Sequence, residues 1–360
     1  MISKSFFENL ELVAQEKGLA IEDVLAKVEM AMAVACRDTD HTGDIKLDID
    51  YDKKRIRVFE YKYVVEEVTE GNKGEITVEE AKALKGKSKI EPGTVLREEI
   101  DFTKLGRKSV SKFKNTFTNE LKNLEREEAY NFFNEQVKEV ITGICIECNS
   151  EYSIFSIGKS TYASLSKEDT IPGETFYRGE RRKLYITKVE KTTKGPKVTV
   201  SRIAKEFVVK LFELNIPEVR DGSVEVMGIS RMPGNRTKIG VMATKANLDA
   251  RGTCVGQGGL RIKAISEELH QEKIDVFLWK TDPVDLIAQS MLPARLLSVV
   301  IQSMKPKQAL VICTDEQYSL AIGKSGQNVK LAYYACSWKI DVKKLSEALK
   351  EGIDFTYNVY

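Results

Sequence analysis

The chain has 360 residues, 31% of them charged and 42% from the hydrophobic set, a balance that supports buried cores and excludes a disordered polymer. No apolar run approaches the roughly 18 residues of a membrane span. Lysine and arginine number 56 against 54 acids, a formal +2 that argues weakly against a generic polyanion binder. The total hides two unlike parts. Residues 1–133 carry 23 basic and 27 acidic side chains, and residues 134–360 carry 33 and 27. Only the second part has the sign of a nucleic-acid binder. The N-terminus, MISKSFFENLELVAQEKG, lacks the basic region, apolar block and cleavage site of a signal peptide, so a cytoplasmic location without membrane attachment is expected.

In chain order, residues 5–17 and 21–37 read as helices; in the second, Ile21, Val24, Leu25, Val28, Met32 and Cys36 follow helical spacing. Residues 45–50 and 55–65 alternate around Tyr51-Asp52-Lys53-Lys54, a β-hairpin pattern. A short helix over 78–84 and a turn at Glu91-Pro92-Gly93 follow. Residues 103–133, rich in Lys, Glu, Asn and Phe, read as a long exposed helix that could act as a stiff spacer. The character changes over 137–201, where five short alternating runs are separated by Gly and Pro turns, the signature of a small closed barrel of the OB type. Across 178–197, Arg178, Arg181, Arg182, Lys183, Lys188, Lys191, Lys194 and Lys197 face only Glu180 and Glu190, a basic surface suited to nucleic acid.

Several enzyme readings fail on the residues. Gly-Lys-Ser occurs at 86–88, 158–160 and 323–325, but a phosphate-binding P-loop needs a glycine five positions earlier, where Ala81, Ser153 and Tyr318 stand. Cys145-Ile-Glu-Cys148 lacks the second ligand pair of a structural zinc site and lies in a strand-like run, unlike a redox CxxC that opens a helix. The other cysteines, Cys36, Cys254, Cys313 and Cys336, are irregularly spaced, and the two histidines, His41 and His270, lie far apart. The carboxylate pairs Glu66-Glu67, Glu98-Glu99, Glu127-Glu128 and Glu267-Glu268 read as solvated faces. No cofactor, metal or catalytic residue is expected.

The strongest signal is an internal repeat. Lys-Ile-Asp-Val occurs at 273–276 and at 339–342, each time after a Gly-x-x-Gly and one helix. The first loop is Gly256-Gln257-Gly258-Gly259 and the second Gly323-Lys324-Ser325-Gly326. Upstream, 204–214, 223–231 and 236–244 match 284–292, 296–302 and 308–313 as helix, strand, strand. In a KH module such a loop clamps the backbone of about four nucleotides. Glycine permits positive φ and, lacking Cβ, lets a sugar-phosphate approach closely, while the following helix offers free N–H groups to phosphate. Lys324 adds a charge at the loop tip. Arg261 and Lys263 on one following helix, and Asn328 and Lys330 on the other, complete the candidate RNA-binding set. Ile262 and Val329 can floor an apolar groove or pack the core.

Several stretches resemble the NusA family of bacterial transcription elongation, pausing and termination factors: YITKVEKTTKGPKVTVSR, EFVVKLFELNIPEVRDGSVEV, CVGQGGLRIKAI, EKIDV, and SLAIGKSGQNVKLA followed by WKIDV. Near the first loop the family's usual Asp-Pro-Val-Gly-Ala-Cys-Val-Gly is altered, with Ala250, Arg251 and Thr253 in place of Pro, Val and Ala, and the loop interior carries no cation. The resemblance implies an α+β multidomain chain. Residues 1–133 would form an N-terminal α/β domain with its connecting helix, binding RNA polymerase core near the RNA exit channel. Residues 134–201 would form a five-stranded, S1-like OB-fold barrel, 202–280 and 281–345 two type II KH domains, and 346–360 a C-terminal tail. The barrel, through Arg181, Arg182 and Lys183, and the KH loops would hold nascent single-stranded RNA. Other antitermination factors and ribosomal proteins are further candidate partners, and a monomer is expected. The competing readings are an exoribonuclease-associated RNA-processing protein and a ribosome-assembly or translation factor.

Overall fold

A computed structural model describes residues 4–36, 43–51, 53–69, 74–86, 89–101 and 106–358. The chain divides into two compact units, residues 1–132 with 191–196, and residues 133–190 with 197–360. His41, Lys87, Ser88 and the first residues of the long helix predicted from 103 lie outside the described residues. Among the described residues no helix is long and apolar enough to cross a membrane.

In the first unit, α1 (Lys4–Lys17) and α2 (Ile21–Cys36) precede the antiparallel hairpin β1 (Asp44–Asp50) and β2 (Arg55–Val65), whose register runs from Asp50↔Arg55 to Asp44↔Tyr61. The helical stripe read from the sequence is the buried face of α2: Val24, Leu25, Val28, Met32 and Cys36 share a core with Phe7 and Leu10 of α1 and Ile56 and Val58 of β2. β3 (Glu75–Thr77) pairs parallel to β2 and leads into α3 (Val78–Lys85). A capping box starts that helix: the Glu80 backbone N–H donates to Thr77 Oγ1 at 3.3 Å and the Thr77 N–H to the Glu80 carboxylate at 2.9 Å. β4 (Val95–Ile100) returns antiparallel to β2. β3 and β4 escaped the sequence reading because one is three residues long and the other, VLREEI, is mostly exposed and buries only Ile100 fully.

α4 (Arg107–Glu135) is long, as expected, but it is not the exposed spacer the composition suggests. Leu121 and Leu124 are buried in the same core as α1 and α2, with Phe113 and Phe117 packed against it. The spacing 113, 117, 121, 124 places one apolar stripe on an otherwise polar helix. Lys17 pairs with Glu125 at 2.5 Å and Lys27 with Glu120 at 3.7 Å along its edges.

The second unit contains a closed barrel of order β5-β6-β7-β9-β8, made of β5 (Val140–Cys148), β6 (Tyr152–Gly158), β7 (Thr161–Ser166), β8 (Arg181–Thr192) and β9 (Gly195–Ser201). Inward Cys145, Phe155, Ala163, Leu165, Leu184, Ile186, Val198 and Val200 are all buried, the alternation that the sequence shows. Two repeats of one topology follow. The first is α5 (Lys205–Asn215), α6 (Pro217–Arg220), β10 (Val224–Met232), β11 (Arg236–Ala243), α7 (Ala250–Val255), α8 (Leu260–Glu268) and β12 (Lys273–Leu278). The second is α9 (Pro283–Ser290), β13 (Ser298–Met304), β14 (Lys307–Cys313), α10 (Asp315–Ile322), α11 (Gln327–Cys336) and β15 (Lys339–Lys344). In each sheet the first two strands are antiparallel and the last, opened by Lys-Ile-Asp-Val, runs parallel to the middle one. This is the type II KH arrangement.

The segment read as a tail is folded. α12 (Leu345–Lys350) buries Ala348 against Leu310 and Ile312 on the outer face of β14, Ile353 and Phe355 extend that cluster, and the Asn358 N–H donates to the Leu297 carbonyl at 2.8 Å.

Polar contacts join the modules of this unit. Arg202, fully buried, bonds both carboxylate oxygens of Glu174 at 2.8 and 2.7 Å, Glu268 Oε1 at 3.0 Å, and the carbonyls of Lys183 and Glu268. Glu174 and Lys183 belong to the barrel, and Glu268 ends α8. Between the repeats, β10 approaches α11 so closely that a Cβ on Gly228 would overlap the Ala335 carbonyl oxygen. Arg202→Met would strand the buried carboxylate of Glu174, and the expected loss is about 3–5 kcal/mol of second-unit stability in urea denaturation, with Arg202→Lys failing to restore it because an ammonium lacks the planar fork. A loss below about 1 kcal/mol would show that the cluster is not structural.

Candidate nucleic-acid interface

The two Gly-x-x-Gly loops have one backbone. Gly256 and Gly323 sit at φ/ψ of 75/169° and 73/170°, Gly258 and Ser325 at 60/17° and 54/29°, and Gly259 and Gly326 at 77/13° and 76/15°. Both loops begin where the preceding helix is closed by a backbone bond, Gly256 N–H to the Gly252 carbonyl at 2.8 Å and Gly323 N–H to the Ser319 carbonyl at 2.9 Å. A Cβ on Gly323 would lie 2.8 Å from the Asn328 backbone nitrogen, so this position excludes side chains by contact as well as by dihedral angle. Around Gly259 the space is open, which leaves the loop's outer surface accessible.

The predicted cations divide into free and engaged groups. Lys263 and Lys330 occupy the same place in the two repeats, seven positions after the first loop glycine, and both are exposed. Lys263 reaches Glu267 only at 4.0 Å. Lys324 is exposed at the second loop tip, and Gln257, Gly258 and Ser325 lie at the surface beside their glycines. Two residues of the candidate set are engaged by the protein itself. Asn328 is 2% exposed; its side-chain amide donates to the Met291 and Ala321 carbonyls at 3.0 Å each, so it holds the loop from beneath and is not presented to RNA. Arg261, at the equivalent position, donates to the Thr253 carbonyl at 2.8 Å and to Glu218 at 2.9 and 3.4 Å, so its charge is already countered. Residues of different chemistry thus satisfy the last carbonyls of α7 and α10.

Val329 lines a cleft of about 710 Å³ with Ile322, Ile340 and Val342, between the loop-flanking helices and β15. Its lining is mostly apolar, with Gln302, Asp341 and Lys343 as the polar members, and an apolar floor suits unstacked bases. At the first loop, a recess of about 580 Å³ is bordered by Gly256, Gln257 and Arg261 but also by Glu218 and Asp249. Ile262 packs against the core of its module.

On the barrel, Arg181 is exposed and Lys183 half-buried, whereas Arg182 pairs with Glu180. Lys188 pairs with Glu190 at 2.6 Å and Lys191 with Glu127 at 2.8 Å. The basic run is therefore less open than its composition suggests. The sequence reading missed exposed aromatics: Tyr162 is 55% exposed on β7, between buried Thr161 and Ala163, and Tyr152 is exposed on β6. Tyrosine at an outward position of an alternating strand was the available signal. Cys145 and Cys148 share β5 without a disulfide. Burial pushes the Cys254 thiol up to about 12 and those of Cys36 and Cys313 to about 11, which keeps them protonated at neutral pH. Among the described residues no three or more metal-binding side chains gather.

A closed OB barrel followed by two KH modules with like loops defines a multidomain architecture of the nucleic-acid-binding class. Three family descriptions match in order: NusA N-terminal domain over residues 5–127, NusA-like first KH domain over 202–279, and NusA-like second KH domain over 283–350. The transcription termination/antitermination protein NusA of Bacillus subtilis is 35% identical over 353 residues, covering 98% of this chain and 94% of its own. Its Thermus thermophilus counterpart is 31% identical over 370 residues, covering 98% and 94%. The chain belongs to the NusA family.

One buried charge links β11 of the first repeat to the segment between α9 and β13 of the second. Lys238 of β11 is 1% exposed and donates to the Leu292 carbonyl, with Asp275 3.8 Å away. Desolvation lowers its pKa from 10.5 to about 8, with Asp275 acting in opposition. The folded state therefore binds this proton less tightly than the unfolded chain: the penalty is full below pH 8 and is relieved as pH rises towards 10.5. Lys238→Met removes it. In urea denaturation the variant's stability relative to the parent should fall by about 3 kcal/mol between pH 7 and pH 10.5, and a pH-independent difference would contradict the buried charge.

Proposed function

We propose that this chain is a non-enzymatic transcription regulator. It binds RNA polymerase core through residues 1–133 and nascent single-stranded RNA through the barrel, residues 134–201, and the KH modules, residues 202–280 and 281–345. The observation that carries this reading is the pair of loops with one backbone conformation, each with an exposed lysine at the same place in the following helix, within a chain of the NusA family.

The RNA backbone enters at the loops, where absent side chains permit close approach and helix N–H groups meet phosphate. Lys324, Lys330 and Lys263 supply charge. Bases lie over the apolar cleft floored by Ile322, Val329 and Ile340, and Tyr162 and Arg181 extend the binding surface on the barrel. Each site is weak by itself. Tethering to the polymerase raises the local RNA concentration, so the protein shifts the populations of paused and elongating states while the polymerase performs the chemistry. Such a regulator acts in pausing, termination and antitermination in the cytoplasm and needs no cofactor.

Added to a purified elongation complex, the full chain should lengthen hairpin-dependent pauses, and unchanged pause lifetimes and termination efficiency would overturn the proposal. Lys324→Ala and Lys330→Ala should each weaken oligoribonucleotide binding and flatten the dependence of log K on log salt by about 0.7 for every phosphate no longer neutralised. These substitutions avoid the glycines, whose replacement would distort the loop itself. Unaltered affinity in the double variant would remove the second loop from the site.

A further inference from the structure

The first module carries a countered arginine just after its loop, where the second has Asn328, and the second carries an exposed lysine within the loop, where the first has Gln257. Arg261 lies on the first turn of α8, its guanidinium bordering the recess that opens at Gly256 and Gln257. Nη1 donates to the Thr253 carbonyl at 2.8 Å. Nη1 and Nη2 also donate to the two carboxylate oxygens of Glu218 of α6, at 2.9 and 3.4 Å, with the two side chains 34% and 32% exposed. An ion pair that exposed is weak, whereas guanidinium and phosphate form a stronger, bidentate pair.

We infer that Glu218 is a latch on Arg261 and sets how strongly the first loop takes phosphate; this rests on the RNA-binding reading above. An RNA phosphate entering the recess displaces the Glu218 carboxylate and takes its place on the guanidinium, while the bond to the Thr253 carbonyl keeps the arginine aimed at the loop. The loop interior, Gln257-Gly258, has no cation of its own, and among the residues bordering the recess Arg261 is the basic one, with Lys263 exposed farther along α8. Asp249 stands on the same recess but is engaged as the cap of α7, its carboxylate accepting from the Gly252 N–H at 3.0 Å. Glu218 makes no such cap and is free to swing away. The second loop needs no latch, because Asn328 takes the structural place of Arg261 and Lys324 carries the charge in the loop. Glu218 is thus a specificity-determining residue: it makes the first KH module conditional on a well-placed phosphate, while the second is permanently open.

The test is fluorescence anisotropy of a fluorescein-labelled oligoadenylate with the full chain at several salt concentrations. Glu218→Gln keeps the side chain's size and a hydrogen-bond acceptor but removes its charge. Affinity should rise about fivefold, the equivalent of a surface ion pair of about 1 kcal/mol. Arg261→Gln should lower affinity and flatten the salt dependence by about 0.7. Glu225→Gln, an exposed carboxylate on β10 of the same module, is the control for net charge and should change little. A Glu218→Gln variant that binds no better than the parent, or no better than Glu225→Gln, overturns the latch. If Lys324→Ala and Lys330→Ala are also without effect, the RNA-binding reading falls; if they weaken binding while Glu218→Gln does nothing, only the latch falls.

Discussion

Arg202 is the residue on which the geometry of the second unit depends. All five of its N–H donors meet oxygens from three places: the loop before β8, the β8 backbone, and the end of α8. A buried ion pair is a poor source of net stability, since desolvation offsets attraction, but its directional bonds fix one orientation of the parts that supply them. Here those parts are the barrel and the first KH module. The carbonyl that Arg202 holds belongs to Lys183, so a cation on the barrel's β8 strand is set in place by the same side chain that docks α8. Arg231 and Glu272 repeat the device within the first module, both nearly inaccessible, with Glu272 also accepting from Thr237 and the Gly234 N–H.

From that anchor the second module is placed by close backbone packing. Gly228 and Gly240 leave no room for a Cβ: Gly228 lies against the Ala335 carbonyl and Trp279, and Gly240 against Phe277 and Trp279. α11 therefore rests on the sheet of the first module, and the helix that follows the second loop is also the helix that packs the two modules together. A rigid arrangement matters for a ligand that is itself flexible. Weak sites at fixed separations on one RNA strand reinforce each other without each having to order the intervening protein.

Much of this was legible in the sequence because its period and its repeat were strong. The helical stripe of α2, the hairpin at Tyr51, the five barrel strands and the duplicated helix-strand-strand order all stand where patterning placed them. What escaped had no local signature. β4 buries only Ile100 and part of Leu96, with Glu98 between them on the same face, so its alternation is hard to see. α12 and residues 353–358 looked like a tail because the apolar surface they cover belongs to β14. α4 looked exposed because its polar residues outnumber the apolar ones that pack, Phe113, Phe117, Leu121, Leu124, Ala129 and Phe133. At the site, the glycines and Lys324 could be named from spacing, but Arg261 and Asn328 could not be sorted from Lys263 and Lys330. That distinction rests on Glu218 and on the Met291 carbonyl, residues 43 and 37 positions away.

The paired loops also separate two requirements that sequence motifs merge. Backbone shape is the stricter one: the three positive-φ positions agree to within a few degrees in φ, and Ser325 adopts the left-handed region that Gly258 enters at no steric cost. Charge is the freer one. Beyond the exposed lysine that each following helix carries, one module adds an arginine countered by Glu218 and the other a lysine in the loop that is open to solvent. The residue five positions after the first glycine is bound to closing the preceding helix in both, as arginine or as asparagine, so only its surplus hydrogen-bonding capacity is available for ligand. Asparagine has none facing outward, and the second module has an exposed lysine in the loop itself. Arginine has one edge to spare, and the fold has given that edge to a carboxylate.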